Sequence, residues 1–172
     1  MDGRHGAMNQ NGRYPDSKNP NSIQDGLEFQ DFVMETLAKE HGIYIQNYSS
    51  KKYQLNKGEN IQRFEIKLDM RCTETRRLSI EIAERTALDR PWVNSGIYAN
   101  KSFFYVHGNF ECFWIFITSF LQQLEKVKQE EEYKYQHKEE TTIKAFYLPI
   151  EDANKYGIVV EPKMSGVRNG VG

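Results

Sequence analysis

Acidic side chains and a lysine recur at alternate positions in the segment FEIKLDMRCTETRRLSIEIAER, residues 64–85. Asp69 and Glu81 carry carboxylates that a divalent cation such as Mg²⁺ could bind, because hard cations prefer oxygen ligands. Lys67 could orient and deprotonate a water, or stabilise negative charge that develops beside the metal. Together these groups suit metal-assisted phosphodiester hydrolysis. The structural alternative is an exposed strand face whose charges form only salt bridges.

The alternation of apolar and polar residues in this segment predicts a β-hairpin. Its strands would be residues 64–72 and 77–85, joined at the turn TETR. Side chains two residues apart share a face of a strand, and pairing of the two strands would set Asp69 near Glu81. Carboxylates held close together repel one another unless a cation or basic groups neutralise them. The hairpin therefore favours a metal site.

Four further polar residues are candidates for accessory roles at this site: Glu65, Gln54, Arg85 and Glu84. We expect Glu65 to neutralise Lys67, with metal binding as its alternative. Glu84 points to the opposite face of a regular strand and would reach the site only through a β-bulge. Gln54 would contact the site from a polar connector. Arg85 is a second candidate cation, although its guanidinium stays protonated and cannot act as a base.

The remainder of the chain supplies the elements that would position the hairpin. Residues 25–42 predict a helix with Asp25 as its N-cap and a stripe that includes Leu27, and residues 120–140 predict a second, long helix. Further strands are predicted at residues 43–50, 101–108, 111–117 and 142–150. This order of elements predicts an α/β or α+β fold in which a central mixed β-sheet is flanked by helices.

Composition divides the chain into three parts. Residues 1–24 are rich in Asn, Gly, Asp, Ser and Pro, which predicts a flexible N-terminal arm. Residues 25–160 form a single predicted domain, and an aromatic content of 13 % allows it a substantial core. Residues 161–172 contain several glycines and predict a loose C-terminal tail.

Charge and hydropathy exclude several classes of protein. Lys and Arg number 23 against 24 Asp and Glu, a net charge of -1, which excludes a strongly basic protein that coats nucleic acid. The apolar run FWIFI is far shorter than the ~20 residues of a membrane-spanning helix, and the first residues lack the apolar core of a signal peptide. We therefore expect a cytoplasmic protein with no membrane partner.

The arrangement resembles the PD-(D/E)xK superfamily of restriction-endonuclease-like nucleases. The resemblance covers residues 25–120 and rests on GENIQRFEIKLD, LSIEIAERT and WVNSGIY, which look most like small phage or bacterial nucleases. It implies that Glu28 of the first helix, Asp69 and Glu81 bind Mg²⁺, with Mn²⁺ as a substitute. It also implies a DNA substrate and a bacterial or phage-infected host cell. A homodimer would suit cleavage of both strands.

The chain departs from the superfamily pattern at one position. Ala83 stands where the superfamily has a lysine after the third-strand acid, and Lys67 on the neighbouring strand would take its place. Glu28 also has a structural alternative, because Asp25-x-x-Glu28 matches the spacing of a capping box. Two functions follow: a Mg²⁺-dependent DNA endonuclease, or a catalytically inactive module that binds DNA or protein on the same scaffold.

Overall fold

The computed structural model describes residues 22–48, 60–99, 101–128, 132–136 and 141–163. The predicted arm up to residue 21, the predicted tail beyond residue 163 and Gln54 lie outside these ranges. The helices are α1 (Ser22–His41), α2 (Cys72–Thr75), α3 (Thr118–Val127) and α4 (Ile150–Tyr156), with a 3₁₀ turn at Gly96–Tyr98. The strands are β1 (Phe64–Leu68), β2 (Arg77–Glu84), β3 (Val93–Asn94), β4 (Phe104–Gly108), β5 (Phe113–Ile117), β6 (Tyr135–Gln136), β7 (Ile143–Pro149) and β8 (Ile158–Val160).

The described strands form two four-stranded sheets. The first has the order β1-β4-β5-β8, in which β1 and β4 are parallel and the other neighbours antiparallel. The second has the order β3-β2-β7-β6 and is antiparallel throughout. A mixed sheet and an antiparallel sheet with flanking helices confirm the α+β class, whereas the prediction of one central sheet is wrong.

The predicted hairpin at residues 64–85 is also wrong. β1 and β2 belong to different sheets, and most of TETR lies in α2. The local reason is a helical turn in which the Thr75 N–H donates to the Arg71 carbonyl at 2.8 Å. Arg76 then adopts the left-handed region with a φ of 57°, which ends α2 and starts the chain toward β2. The two strands therefore alternate as predicted without pairing with each other.

Helix α1 covers one face of the first sheet. Phe29, Val33 and Leu37 recur every four residues and form its buried stripe, whereas Leu27 of the predicted stripe is exposed. They pack against sheet residues that are all apolar: Phe64, Val106, Phe113 and Val160. This face of the sheet is therefore closed by hydrophobic packing.

The helix boundaries differ from the predicted ones at two places. α1 begins at Ser22, so Asp25 is not its N-cap. It ends at Gly42 as predicted, because that glycine takes the left-handed φ of 67° that ends many helices. α3 ends at Val127, because the chain beyond it enters β6, which pairs with β7. None of the described helices is long and apolar enough to cross a bilayer.

The predicted strands were partly correct. β4, β5 and β7 confirm the strands at residues 101–108, 111–117 and 142–150. Within residues 43–48 the structure has an isolated bridge between Asn47 and Asn60 instead of the predicted strand. The chain beyond α4, predicted to trail away, forms β8 at the edge of the first sheet.

The second face of the first sheet meets the second sheet, α3 and α4. Buried residues from all of them form one cluster: Leu78, Ile80, Tyr105, Trp114, Phe116, Leu121, Phe146, Leu148 and Ala153. Apolar packing gives way to polar residues where the end of β1 approaches β2 and β4. That place is the candidate site.

Candidate functional site

A pocket of about 310 Å³ opens between the two sheets. It is lined by residues of β1, β2, β4, β7 and the turn after β1: Lys67, Leu68, Asp69, Met70, Arg71, Ser79, Glu81, Tyr105, His107 and Ile143. The structure therefore brings together Asp69, Glu81 and Lys67. It does so across two sheets and not across a hairpin.

The parallel pairing of β1 with β4 determines which polar side chains face the pocket. Glu65 lies beside Tyr105 in this register, and Lys67 lies beside His107. Side chains of a strand alternate between faces, so these four residues share the face opposite α1. The apolar residues between them point to α1. Alternation in β1 and β4 therefore separates one polar face from one apolar face.

Asp69 connects the two sheets at the mouth of this pocket. Its backbone N–H donates to the Gly108 carbonyl at 2.7 Å, which holds it at the end of β1. Its Oδ2 accepts a hydrogen bond from the backbone N–H of Ser79 at 3.0 Å, and its Oδ1 accepts one from that of Arg71 at 3.2 Å. The His107 Nε2 lies 3.3 Å from Oδ2. Both carboxylate oxygens are therefore engaged by groups of the chain.

These contacts keep Asp69 ionised. Burial by itself would raise the pKa of Asp69, since it disfavours the charged form. The hydrogen bond and charge of His107, followed by the backbone N–H groups of Ser79 and Arg71, outweigh burial and lower the pKa below its ordinary value. Asp69 is thus a carboxylate at neutral pH.

His107 is a member of the site that the sequence analysis missed. Its side chain is buried on β4, and its ring stacks on that of Tyr105 with centroids 5.8 Å apart. An ionised carboxylate only accepts hydrogen bonds, so Nε2 is the nitrogen that donates to Asp69. Nδ1 has no hydrogen-bond partner among the described residues. The available signal was the spacing of Tyr105 and His107, which places both on one face of a strand.

Glu81 is held by the turn that follows β3. The Ser95 hydroxyl donates a hydrogen bond to Glu81 Oε1. The neighbouring Gly96 has a φ of 53°, and a Cβ there would lie 2.1 Å from the Glu81 carbonyl oxygen. Only glycine permits so close an approach to the backbone of Glu81. The Ser-Gly pair was visible in the sequence, but its contact with β2 was not.

A β-bulge in β2 determines which residues follow Glu81 on the pocket face. Glu81 lies opposite Ala145 of β7, but Ala83 lies opposite the adjacent Lys144. Two steps along β2 therefore match one step along β7, which defines a bulge. Paired residues point to the same face, so Ala83 turns to the buried face and Glu84 shares the face of Glu81.

The bulge bears on two predictions. Glu84 was expected at the site only if a bulge were present; it is exposed and pairs with Ile143, which lines the pocket. Ala83 is buried and faces away from the pocket. A lysine at position 83 would therefore point away from the pocket on this backbone.

Lys67 forms an ion pair with Glu65. Its Nζ lies 2.7 Å from Glu65 Oε1, with 39 % of the Lys67 side chain and 23 % of the Glu65 side chain exposed. Glu65 thus neutralises Lys67 as the sequence analysis expected. An ammonium group at this position could stabilise negative charge that develops in the pocket.

Tyr105 is the second residue of the pocket that the sequence analysis did not single out. Its side chain is completely buried, and its hydroxyl has no hydrogen-bond partner among the described residues. Burial raises the pKa of Tyr105 well above its ordinary range, and the charges of Glu81, Glu65 and Asp69 raise it further. The Tyr105 hydroxyl therefore stays protonated at neutral pH.

Two predicted site residues lie elsewhere. Glu28 is exposed on α1, where its Oε1 accepts a hydrogen bond from Gln24 Nε2 at 3.0 Å. The Arg85 guanidinium donates to the carbonyls of Leu88 at 2.6 Å and Thr141 at 2.9 Å. Neither Glu28 nor Arg85 lines the pocket.

The pocket contains two carboxylates, which are the ligand type that a hard divalent cation prefers. Asp69 and Glu81 supply carboxylate oxygens, the ligand type that Mg²⁺ prefers. Among the described residues, no three His, Cys, Asp or Glu side chains converge as a metal site. A Mg²⁺ ion here would thus depend on two carboxylates together with water and a substrate phosphate, which is a common arrangement for this ion.

Comparison of the chain with protein-family models, with curated proteins and with solved structures gave no match.

Proposed function

We propose that this protein is a Mg²⁺-dependent nuclease that hydrolyses phosphodiester bonds of DNA in the pocket between its two sheets. The observation that carries the proposal is that Asp69, Glu81 and Lys67, which come from both sheets, line one pocket. Carboxylates that can bind a metal and an ammonium group that can stabilise negative charge suit the hydrolysis of a phosphodiester. Mn²⁺ is the expected substitute for Mg²⁺.

Each residue has a definite task in this proposal. Asp69 and Glu81 would hold the metal, which supplies a more acidic water and neutralises charge on the phosphate. The Lys67 ammonium stabilises the negative charge that grows on the phosphate oxygens. The water oxygen forms a bond to phosphorus, its proton passes to a pocket carboxylate, and the P–O bond to the ester oxygen breaks. The departing oxygen takes a proton from solvent and leaves as a sugar hydroxyl.

A catalytically inactive module that binds DNA or protein is the second candidate. Two observations favour it: both oxygens of Asp69 already accept hydrogen bonds from the chain, and the superfamily's lysine position is the buried Ala83. In that case Asp69 would serve to join the two sheets. Such a module would retain DNA or protein equally with and without metal and would cut nothing.

Cleavage of supercoiled plasmid and of labelled oligonucleotides tests the proposal. The wild type is incubated with Mg²⁺, with Mn²⁺ and with chelator, and retention of DNA is measured in parallel. We expect cutting with either metal and none with chelator. Glu81→Gln should slow cleavage at least about 100-fold, equivalent to about 3 kcal/mol of transition-state stabilisation, because the amide binds a cation poorly.

Glu35→Gln is the matched control, because Glu35 is exposed on α1 and pairs with Lys39, and neither residue lines the pocket. It should cleave as the wild type does. Full activity of Glu81→Gln would refute the assignment of the pocket. Retention of DNA without cutting, indifferent to metal, would favour the binding module over the nuclease.

A further inference from the structure

Three charged side chains that line the pocket differ widely in exposure. The Asp69 side chain is 16 % exposed, that of Lys67 is 39 % exposed and that of Arg71 is 68 % exposed. Arg71 also belongs to the lining of the pocket, so its side chain lies where the pocket opens to solvent. A molecule that enters the pocket to reach Asp69 would pass this guanidinium.

The backbone of Arg71 is held firmly, although its side chain is exposed. Its N–H donates to Asp69 Oδ1 at 3.2 Å. Its carbonyl accepts hydrogen bonds from the backbone N–H and the hydroxyl of Thr75, both at 2.8 Å. The exposed side chain therefore starts from a fixed point, two residues from the proposed metal ligand Asp69.

Glu74 holds the Arg71 guanidinium loosely. Arg71 Nε lies 3.4 Å from Glu74 Oε2, and Nη2 lies 3.2 Å from Oε1. Hydrogen bonds between a guanidinium and a carboxylate are usually shorter, about 2.7–2.9 Å. Both side chains are exposed, and such pairs contribute little to stability. A guanidinium also carries more N–H donors than this pair uses, so a second acceptor can bind at little energetic cost.

The charge of Asp69 reaches the Arg71 guanidinium. The hydrogen bond and the charge of Glu74 raise the pKa of Arg71 above its ordinary value, and the charge of Asp69 raises it further. The guanidinium therefore stays protonated and lies close enough to Asp69 to respond to its charge. An anion bound at Arg71 would be a neighbour of whatever Asp69 binds.

We propose that the Arg71 guanidinium binds a DNA phosphate next to the one that is cut. This inference rests on the proposed nuclease function, in which Lys67 and the metal at Asp69 engage the phosphate that is cut. Arg71 is more exposed than either of those residues, which suits it to a phosphate farther along the strand. The planar guanidinium can donate two parallel hydrogen bonds to phosphate oxygens, as it does to the carboxylate of Glu74.

Binding of a labelled oligonucleotide at several salt concentrations tests this contact. Fluorescence anisotropy is measured with chelator present, so that the strand stays intact. Each phosphate that a protein neutralises contributes about 0.7–0.9 to the slope of log Kd against log salt concentration, and Arg71→Gln should lower the slope by that amount. At low salt it should weaken binding about 10-fold, the low end for a hydrogen bond between charged groups.

Arg76→Gln is the matched control, because it removes the same charge from a second exposed pair. Arg76 is 67 % exposed and pairs with Glu151, and neither residue lines the pocket. It should leave the slope unchanged and weaken binding less than about twofold, since salt screens its charge from the DNA. In the reverse comparison, Glu74→Gln releases Arg71 and should tighten binding more than Glu151→Gln does.

Equal slopes for Arg71→Gln and Arg76→Gln would overturn the inference, because Arg71 would then act only through long-range charge. A wild type that does not bind the oligonucleotide would overturn it as well. Equal slopes in a protein that cuts DNA with Mg²⁺ leave the nuclease function intact. Unequal slopes in a protein that never cuts overturn the nuclease function and leave Arg71 as a phosphate contact of a binding module.

Discussion

The two faces of the first sheet are built in opposite ways. On the face toward α1, apolar residues of helix and sheet interlock, and the charges of the helix, such as the Glu35–Lys39 pair, stay at the surface. On the face toward the second sheet, the apolar cluster gives way to a pocket with buried polar side chains. Within the described chain, the buried side-chain atoms that lack a hydrogen-bond partner are the Tyr105 hydroxyl and His107 Nδ1, both on this face.

The two faces of the sheet differ in what their burial contributes to the stability of the fold. Burial of apolar surface is favourable and needs no directional partner. The α1 face therefore stabilises the fold without requiring a hydrogen bond to any particular atom. Burial of an unpaired polar group is unfavourable, by about 1–3 kcal/mol when a hydrogen bond is missing. The Tyr105 hydroxyl and His107 Nδ1 therefore lower the stability of this face.

The largest effect on stability is expected at the α1 face. Phe29→Ala should lower the free energy of unfolding by about 3–5 kcal/mol, because it empties a completely buried site between the helix and the sheet. Urea unfolding measures the change. Cleavage per folded molecule should stay at the wild-type level, because Phe29 lies on the opposite face from the pocket.

Ile23→Ala is the control on the same helix, since the Ile23 side chain is 82 % exposed. It should change the free energy of unfolding by less than about 0.5 kcal/mol. A loss below about 1 kcal/mol for Phe29→Ala would mean that α1 does not close that face, and the contrast between the two faces would fail.

A smaller effect, and one that depends on pH, is expected at Asp69. Asp69→Asn should lower the free energy of unfolding by about 1–3 kcal/mol at pH 7, because an amide nitrogen replaces one of the accepting oxygens. The folded-state pKa of Asp69 is lowered, so its carboxylate stabilises the fold above the ordinary pKa and loses that effect as pH falls through the lowered value. The difference in free energy of unfolding between wild type and Asp69→Asn should therefore decrease as pH approaches 2.

Urea unfolding of both proteins at several pH values between 7 and 2 checks this prediction. Glu35→Gln serves as the comparison, since its pair with Lys39 on α1 is exposed and should contribute little at any pH. The prediction is wrong if the difference in free energy of unfolding between wild type and Asp69→Asn stays constant over this range. The stabilisation by the hydrogen bonds to Asp69 would then not depend on its charge.

The sequence predicted the fold best where partners are close in the chain. β4 and β5 follow one another in the chain and were predicted as strands, and they pair antiparallel with Gly108 beside Phe113 at the turn. The predicted hairpin was wrong because the alternation of polar and apolar residues shows which face of a strand a residue takes but not which strand lies beside it. β1 pairs instead with β4, across a long intervening segment, and local pattern carries no information about such a partner.

The same limit explains which site residues were predicted. Asp69, Glu81 and Lys67 were identified because charged residues at alternate positions in a strand stand out among apolar neighbours. His107 and Tyr105 were not, since an isolated histidine and a tyrosine in an apolar strand look like ordinary turn and core residues. The positions of His107 and Tyr105 beside Lys67 and Glu65 depend on the parallel pairing with β1, and the face that Glu84 takes depends on a bulge that the sequence does not specify.

The smallest effect is expected at Glu28, the remaining residue assigned to the metal by resemblance. Its side chain is exposed on α1 and hydrogen-bonded to Gln24, on the helix that covers the apolar face of the sheet. Glu28→Gln should therefore cleave within about twofold of the wild type and change the free energy of unfolding by less than about 0.5 kcal/mol. Glu35→Gln is the matched control for both measurements, because Glu35 is also an exposed glutamate of α1. If Glu28→Gln instead lost as much cleavage as Glu81→Gln with unchanged stability, Glu28 would have to take part in catalysis. This result would contradict the position of Glu28 on α1, away from the pocket.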